Sequence, residues 1–348
     1  MRINSAQYIP GSRVMKDEDI LQEIRSNSAP IFKGDLDRTL NSVKFMLQQG
    51  GCKTRYWLAD DQTPIALLTR AAQAALDESG YDKKDIELVM FTGMGRGFLE
   101  PGDSYFVANA LGMENAHCFD IVDACMSWSR AADIANTFFK SGKYRNAMIV
   151  NAEKFFGEAG LGYPSSYALK GVEEIPYCFA SWVGSEGASA TILSHDPDNE
   201  WEFHFTSFNS NADLCTIPLK GWRGRCHPTG RMGHNGEGAF TAWGSAMFTK
   251  GGPYMTDILT RLKPHYQDLK AVFCHTGGPA TEFHKLAKAA GADHLVKYIY
   301  PEFGNVGSAS IPASISEFEK RGEIKRGDRL GGWIGSSGFS FVAYTFIY

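Results

Sequence analysis

Apolar runs and amphipathic stretches alternate along this chain, and glycine, proline or small polar residues separate them. Runs of the kind that form buried strands occupy residues 3–10, 85–93, 146–151, 188–193, 201–207 and 269–274, and two more end the chain. Apolar residues at helical spacing predict helices at residues 67–77, 105–111, 131–140, 280–290 and 308–320, and an interrupted one at 239–262. Strands that alternate with helices in this way predict an α/β fold with largely buried sheets.

Three segments lack a clear period. Residues 16–51 are polar and helix-prone without a clear apolar stripe, which predicts one or two surface helices. Residues 154–180 are rich in glycine and aromatic residues, and they predict a loop over a surface or an entrance. Residues 220–231 are basic, aromatic and rich in helix breakers, which predicts another loop.

The chain also repeats itself at a long interval. Residues 85–92 and 268–275 share one pattern, in which an apolar run follows an aspartate and ends at the same distance from it. Cys125 precedes Gly142, in Lys-Ser-Gly-Lys, by the same number of positions as Asn305 precedes Gly322, in Lys-Arg-Gly-Glu. The repeat predicts two pseudo-symmetric halves of one topology, with the helix starts at Cys125 and Asn305 face to face.

Composition narrows the class of protein. A chain of 348 residues can form two ordinary domains or one large α/β unit, and its formal net charge of −4 argues against a globally basic nucleic-acid binder. The seven cysteines are odd in number and include no CxxC pair, so we expect free thiols in a reducing cytoplasm rather than disulfides or a metal site. The N-terminus shows no signal-peptide pattern, and no apolar run is long enough for a membrane span.

Cys125 stands where an apolar run ends in a tight turn and a helix begins. Unpaired backbone N–H groups and the positive end of the helix dipole at such a corner favour a thiolate, which predicts a nucleophile. A buried structural cysteine is the alternative. His275 precedes a glycine-rich turn and Asn305 lies in one, and a structural histidine and a left-handed turn residue are their alternatives. All three residues nevertheless fall at strand-end corners of the repeated unit.

Three segments resemble the active-site motifs of the ketoacyl synthase III family, which belongs to the thiolase superfamily. They are Asp-Ile-Val-Asp-Ala-Cys at 120–125, Cys-His at 274–275 with its glycine turn, and Gly-Asn-Val-Gly-Ser-Ala-Ser-Ile-Pro at 304–312. The resemblance implies a thiolase-like fold of two pseudo-symmetric βαβαβ-type halves in α/β/α/β/α layers. The nucleophile would belong to residues 1–195, and the histidine and asparagine to residues 196–348.

The resemblance also implies roles for the site residues. Cys125 would accept an acyl group from an acyl-CoA or acyl-carrier-protein thioester. His275 and Asn305 would donate hydrogen bonds to the carbonyl of a malonyl-type extender, carried on CoA or on a carrier protein, and stabilise the enolate formed as CO₂ leaves. Attack of this carbanion on the acyl group would give a β-ketoacyl product. The oxyanion hole for the acyl step would combine the Cys125 backbone N–H with the turn formed by Gly335, Ser336, Ser337 and Gly338. The family implies a homodimer and no cofactor.

Departures from the family pattern concern the substrate pocket. Ser336 and Ser337 stand where the family usually has glycines. Glu100, beside Leu99, stands at a usually apolar position of a loop that in the family reaches the partner subunit's acyl pocket. A basic loop offers charge for a phosphopantetheine phosphate or an acidic carrier protein, unless it is simply a solvated surface: Lys220, Arg223, Arg225 and Arg231. These departures favour specialised (polyketide or fatty-acid-derived) metabolism over housekeeping fatty-acid initiation.

Other functions stay open at the level of sequence. An acyltransferase would move the acyl group from Cys125 to an alcohol or amine, and Asn305 argues against it because such a transfer needs no decarboxylation site. A non-catalytic subunit of a condensing heterodimer would not need Cys125, His275 and Asn305 intact. A cysteine protease or hydrolase would use the same cysteine and histidine, but the repeat and the asparagine turn fit condensation better.

Overall fold

The computed structural model describes residues 1–158 and 160–348. Ala159, within the predicted loop of residues 154–180, lies outside the described residues. The strands are β1 (Arg2–Pro10), β2 (Arg13–Met15), β3 (Arg55–Trp57), β4 (Leu88–Phe91), β5 (His117–Asp120), β6 (Asn146–Glu153), β7 (Gly187–Ser194), β8 (Glu202–Ser207), β9 (Cys215–Thr216), β10 (Thr241–Ala242), β11 (Leu269–Cys274), β12 (Val296–Lys297), β13 (Arg329–Ser336) and β14 (Ser340–Ile347). The α-helices are α1 (Asp17–Ser28), α2 (Leu36–Gly50), α3 (Pro64–Ser79), α4 (Asp103–Leu111), α5 (Ser127–Lys140), α6 (Ile175–Trp182), α7 (Gly244–Thr260), α8 (Ala280–Ala289), α9 (Tyr300–Phe303) and α10 (Ser310–Lys320).

Two five-stranded sheets share one layout. The first has the order β1-β7-β6-β4-β5 and the second the order β8-β14-β13-β11-β12. In each sheet the first two pairings are antiparallel and the last two are parallel. The first sheet draws its strands from residues 2–194 and the second from residues 202–347. The prediction of two halves with one topology is therefore confirmed, while the division at residue 195 stays a prediction.

The layers follow from the alternation of side chains along the strands. In β4, Leu88 and Met90 join the central apolar cluster, whereas Val89 and Phe91 join an outer one. The central cluster contains α5 and α10 together with strands of both sheets. Helices α3 and α4 cover the outer face of the first sheet, and α7 and α8 cover the outer face of the second. The result is an α/β/α/β/α stack.

The structure confirms the match of residues 85–92 with residues 268–275, because β4 and β11 hold the same place in the two sheets, but it corrects the match of Cys125 with Asn305. Short 3₁₀ turns precede α5 and α10, at Ala124–Met126 and Gly307–Ala309. The number of residues that separates these two turns is the same as the number that separates the starts of β6 and β13. The turns and the strands of the two halves therefore correspond at one constant spacing along the chain. Cys125 therefore corresponds to Ser308, not to Asn305. The matching distances to Gly142 and Gly322 arose because α10 is shorter than α5. The two turns contact each other, as predicted for the helix starts.

Two predictions for the segments without a period are wrong in part. Residues 16–51 form the two expected helices, but α1 and α2 do carry an apolar stripe, which is buried against a cluster that includes Trp57 and Trp182: Ile20, Ile24, Leu40, Val43 and Leu47. Residues 154–180 are not all loop, because α6 begins at Ile175. Aromatic residues of this segment pack into the same cluster instead of facing solvent. Within the described ranges, no helix has both the length and the apolar character needed to cross a membrane.

The two halves interlock beside the start of α10. The Asn305 N–H donates to the Val183 carbonyl at 2.7 Å, and the Ser185 N–H donates to the Asn305 carbonyl at 2.7 Å. The Ser185 hydroxyl donates to the Phe303 carbonyl as well. Gly304 lies between these contacts with φ +67°, and a Cβ on it would be 2.5 Å from the Val183 carbonyl oxygen. Only glycine fits this position.

Gly304→Ala is therefore expected to lower the free energy of unfolding by at least about 2 kcal/mol, because left-handed backbone disfavours a side chain and the new Cβ collides with a carbonyl. Gly142→Ala is the matched control, since Gly142 has φ +72° but open space around a Cβ. The control is expected to lose only about 1 kcal/mol. Urea unfolding of both variants measures the difference. Equal losses would contradict the interlock at Gly304.

Candidate active site

Cys125 lies in the 3₁₀ turn between β5 and α5. Ala124, directly before it, has φ +47°, a conformation that non-glycine residues adopt rarely and chiefly where the surrounding structure enforces it. The Ser127 hydroxyl fixes the turn, since its oxygen accepts from the Asp123 N–H at 2.8 Å and it donates to the Ala124 carbonyl at 2.8 Å. The turn places the cysteine side chain at the wall of a cavity.

Asn305 reaches the same cavity from the other half of the molecule. Its side-chain oxygen accepts a hydrogen bond from the Gly307 N–H at 2.9 Å. This bond leaves the two hydrogens of Nδ2 available for a ligand. Only 4% of the Asn305 surface is exposed, so the interlock with Val183 and Ser185 holds a buried hydrogen-bond donor in a fixed orientation.

His275 follows the end of β11, and its N–H donates to the Trp333 carbonyl at 3.1 Å. Its Nδ1 lies 2.7 Å from the Ser310 hydroxyl oxygen, which is also 2.8 Å from the Gly307 carbonyl oxygen. The single Ser310 hydroxyl hydrogen therefore has two acceptors to choose from. When it goes to Gly307, Nδ1 carries the imidazole proton and Nε2 is an acceptor. When it goes to Nδ1, Nε2 carries the proton and is a donor.

Gly277 shows that these two side chains converge. A Cβ built on Gly277 would lie 3.3 Å from Asn305 Nδ2 and 3.5 Å from His275 Nε2. The two nitrogens are thus within reach of a single oxygen atom placed near that point. A side chain at position 277 would occupy the space, so glycine keeps it open. Two nitrogens that face one point are the arrangement that an oxyanion hole requires.

The cavity has a polar end and an apolar remainder, and encloses about 960 Å³ including its open mouth. Its polar end is lined by thiol, imidazole, amide and hydroxyl groups, which belong to Cys125, Cys215, His275, Asn305, Ser336 and Ser337. Most other lining side chains are aliphatic or aromatic and come from α6, α7, α8 and β14. Such a cavity accepts an apolar group and fixes its reactive end with a few polar contacts.

Burial controls the charges at the polar end. It raises the pKa of the Cys125 thiol well above the ordinary value, and the neighbouring Cys215 and Glu153 add to the rise. The cysteine's own backbone N–H opposes this effect, as expected at a helix start, but it is outweighed. Burial also lowers the pKa of His275 to about 4. The predicted stabilised thiolate is therefore not favoured: the resting pair is a thiol and a neutral imidazole.

The end of β13 and the turn that follows it contain two of the predicted pocket residues, Ser336 and Ser337, in defined roles. The Ser336 hydroxyl donates to the Asp123 carbonyl at 3.2 Å, which ties this turn to the turn of the nucleophile. The Ser337 hydroxyl donates to the sulfur of Cys215 at 3.0 Å. Gly335 also lines the cavity, whereas Gly338 does not. The two serines thus contact groups beside Cys125, and the predicted oxyanion role of this turn stays a prediction.

The basic loop lies apart from the polar end. Arg231 is bound to the buried carboxylate of Asp213 at 2.8 Å, so its charge is already compensated. Arg223 stacks over the ring of Trp222, in a short 3₁₀ turn that interrupts the predicted loop. None of the four predicted contact residues, Lys220, Arg223, Arg225 and Arg231, lines the cavity. Their role toward a phosphate or a carrier protein stays a prediction.

Leu99 and Glu100 also lie outside the cavity of their own chain. Leu99 is 89% exposed, and it belongs to a group of exposed apolar side chains on the loop before α4, on α4 itself and beside the nucleophile turn: Phe98, Leu99, Tyr105, Phe106 and Val122. Exposed apolar groups of this kind are typical of surfaces that contact another protein.

Sequence reasoning missed three residues of the site: Gly277, Ser310 and Cys215. Gly277 belongs to the glycine turn after His275, and Ser310 belongs to the motif that contains Asn305. Both could have been found by asking which residues of the motifs can contact the histidine. Cys215 reaches the cavity from β9, a short strand that no sequence pattern indicated. In the part of the chain that the structure describes, no group of three or more His, Cys, Asp or Glu side chains is placed to hold a metal ion.

Comparison with known proteins finds β-ketoacyl synthases among the relatives of this chain. The chain is 25% identical over 311 residues to a β-ketoacyl-[acyl-carrier-protein] synthase III of Sulfurovum sp., covering 85% of each chain. It is 26% identical over 302 residues to the enzyme of that name from Aliarcobacter butzleri, covering 83% of this chain and 84% of the relative. No protein-family model matches the chain.

Solved structures show the same fold. OleA of Xanthomonas campestris superposes with a TM-score of 0.81 at 20% identity, over 99% of this chain and 96% of OleA. The 3-oxoacyl-(acyl carrier protein) synthase III FabH of Xanthomonas oryzae gives 0.78 at 18% identity, over 99% and 98%. The resemblance to the ketoacyl synthase III family is confirmed. The predicted thiolase-like fold is confirmed with it, in a ketoacyl synthase III-like chain whose cavity contains Cys125, His275 and Asn305.

The raised thiol pKa predicts how Cys125 reacts with iodoacetamide. Because only the thiolate is alkylated, the rate at Cys125 is expected to rise about tenfold per pH unit and to keep rising above pH 9. Mass spectrometry of the Cys125 peptide follows the reaction, and the exposed Cys226 of the same chain is the internal reference for the reagent. A rate at Cys125 that levels off near pH 7 would contradict the electrostatic account.

The lowered pKa of His275 makes stability depend on pH. Histidine in the unfolded chain has a pKa near 6.5, so between that value and about 4 the unfolded state binds more protons. The folded state therefore has its full stability with respect to His275 above pH 6.5, and this contribution is lost as the pH falls toward 4. Between pH 7 and pH 4.5 the wild type is expected to lose about 2 to 3 kcal/mol more unfolding free energy than His275→Gln. Parallel pH profiles from urea unfolding would contradict a buried neutral His275.

Proposed function

We propose that this protein catalyses a decarboxylative Claisen condensation between an acyl group carried on Cys125 and a malonyl-type thioester. The convergence of Asn305 Nδ2 and His275 Nε2 on one point in the cavity of Cys125 supports this proposal most directly. The curated relatives are β-ketoacyl synthases, and the apolar remainder of the cavity suits an acyl group. The enzyme class is that of an acyltransferase of the β-ketoacyl synthase III type.

Acylation is the first step. The neutral His275 accepts the thiol proton of Cys125 as the sulfur attacks the thioester carbonyl, so no free thiolate has to persist in the buried site. A bond forms between the Cys125 sulfur and the acyl carbon. The donor's C–S bond breaks, and the donor leaves as a thiol with the proton. The donor is an acyl-CoA or an acyl carrier protein.

Condensation is the second step. The malonyl thioester carbonyl lies between Asn305 Nδ2 and His275 Nε2, which stabilise the enolate that forms as the C–CO₂ bond breaks. The enolate carbon attacks the acyl carbon, the bond between that carbon and the Cys125 sulfur breaks, and the Cys125 thiolate that leaves takes a proton from water. His275 accepts a proton in the first step and donates a hydrogen bond in the second. The Ser310 hydroxyl fits both roles because it can donate to Gly307 or to Nδ1.

The setting of the reaction is part of the proposal. The exposed apolar side chains around Leu99 and Val122 support a homodimer, in which Glu100 approaches the partner's site. Seven free cysteines fit a reducing cytoplasm. Ser336 and Ser337 stand where the family usually has glycines, and this departure favours a role in specialised metabolism. The reaction as written consumes no cofactor.

Asn305→Ala separates the two steps. The variant is expected to form the acyl-enzyme on Cys125 at close to the wild-type rate but to lose at least about a hundredfold in CO₂ release, because a donor to the enolate is missing. Intact-mass analysis measures acylation, and CO₂ release from a malonyl thioester measures decarboxylation. Cys125→Ala is the control that cannot be acylated.

Two results would contradict the proposal. One is an acyl-Cys125 that never transfers to the malonyl carbon in the wild type. The other is transfer of the acyl group to an alcohol or amine without CO₂ release, which would support the alternative acyltransferase.

A further inference from the structure

A second thiol lines the cavity of Cys125. Cys215, in the short strand β9, packs in a small apolar cluster with Ala180 and Ala242 and lines the same cavity as Cys125. The other cysteines of the chain all lie within the described residues, and none of them lines this cavity. The proposed mechanism gives Cys215 no task, although a thiol beside a thioester is a potential nucleophile.

Two adjacent serines hold the two thiols on either side of one short segment. The Ser336 hydroxyl donates to the carbonyl of Asp123, two residues before Cys125, and the Ser337 hydroxyl donates to the Cys215 sulfur at 3.0 Å. The electrostatics agree with this proximity. Burial is the main cause of the raised pKa of Cys125, and Cys215 is the next cause, which requires a short distance between the two groups.

The surroundings of Cys215 suit an acyl acceptor. Burial raises the pKa of its thiol to about 11, and the hydrogen bond from Ser337 opposes the rise. At Cys125, burial together with Cys215 and Glu153 raises the pKa further, so Cys215 is the more acidic of the two thiols. Only 8% of Cys215 is exposed, and therefore water has little access to a thioester formed there.

We propose that Cys215 is a second acylation site, which accepts the acyl group from Cys125 and leaves Cys125 free to react with another donor. The step is Cys215–SH plus Cys125–S–CO–R giving Cys215–S–CO–R plus Cys125–SH. A bond forms between the Cys215 sulfur and the acyl carbon, and the bond from that carbon to the Cys125 sulfur breaks. The proton moves from the more acidic sulfur to the more basic one. The inference rests on the proposed acylation of Cys125 but not on the later condensation.

The test follows acylation of the whole protein by butanoyl-N-acetylcysteamine, without any malonyl thioester. Samples are quenched with acid and digested with pepsin at low pH, so that thioesters do not migrate before mass spectrometry. Acyl-Cys125 is expected first and acyl-Cys215 after a lag, with two acyl groups on one chain at the end. When the donor is removed after a short pulse, the acyl group should pass from Cys125 to Cys215. The exposed Cys226 reports direct chemical acylation.

Four variants make the test specific to Cys215. Cys215→Ala should hold a single acyl group, on Cys125. Cys178→Ala is the matched control and should still hold two, because Cys178 is also buried with a donor on its sulfur, Asn235 Nδ2 at 3.3 Å, but lies outside the cavity.

The other two variants test the route. Cys125→Ala should acylate Cys215 at least about tenfold more slowly, because the intramolecular donor is missing. Ser337→Ala keeps both thiols, and the transfer after donor removal should slow by about three- to tenfold, because the hydrogen bond to the attacking sulfur is lost.

The outcomes separate this inference from the proposed function. Acylation of Cys125 without Cys215 in the wild type overturns the inference and leaves the proposed condensation standing. Acyl-Cys215 that forms as fast in Cys125→Ala as in the wild type also overturns it, because the donor would then load Cys215 directly. Acylation of Cys226 at the level of Cys215 overturns it as unselective chemistry. If Cys125 is never acylated, the proposed function and the inference are both wrong.

Discussion

The candidate site depends on the backbone contacts that join the two halves at Val183–Ser185 and Phe303–Asn305. These bonds are short, buried and possible only because Gly304 has no side chain. They fix Asn305 from one side, and the Gly307 N–H fixes its side-chain oxygen from the other. Cys125 comes from the first half, and His275 and Asn305 come from the second, so the site exists only when the halves are docked. An enzyme of this kind cannot be divided into a binding half and a catalytic half.

Desolvation is the second constraint, and it favours the uncharged form of both Cys125 and His275. It raises the pKa of Cys125 and lowers that of His275, so burial opposes a thiolate–imidazolium pair. A site of this kind moves the proton as the sulfur attacks instead of storing a charged nucleophile. The neutral imidazole can also donate a hydrogen bond to the enolate without protonating it, whereas an imidazolium is acidic enough to transfer its proton. The Ser310 hydroxyl, with its two acceptors, allows either tautomer of the ring.

Much of the fold was predictable because its signals are local. The spacing of Ala131, Ala132, Ala135 and Phe139 predicts α5, and these residues are buried as predicted. The order and turns of three motifs brought Cys125, His275 and Asn305 to notice, since each motif is a short contiguous segment. Other features depend on contacts between distant segments. The thiol of Cys215 beside Cys125 and the close approach of Gly304 to the Val183 carbonyl both require the packed structure.

The central claim is that Asn305 and His275 bind one carbonyl oxygen beside Cys125. It is tested most directly by a crystal structure of the protein with a malonyl-CoA analogue in which a methylene group replaces the thioester sulfur. The account predicts the carbonyl oxygen within about 3.2 Å of both Asn305 Nδ2 and His275 Nε2, near the point that a Gly277 Cβ would occupy. A carbonyl oxygen that contacts neither nitrogen, in a cavity where the analogue is otherwise ordered, would contradict it.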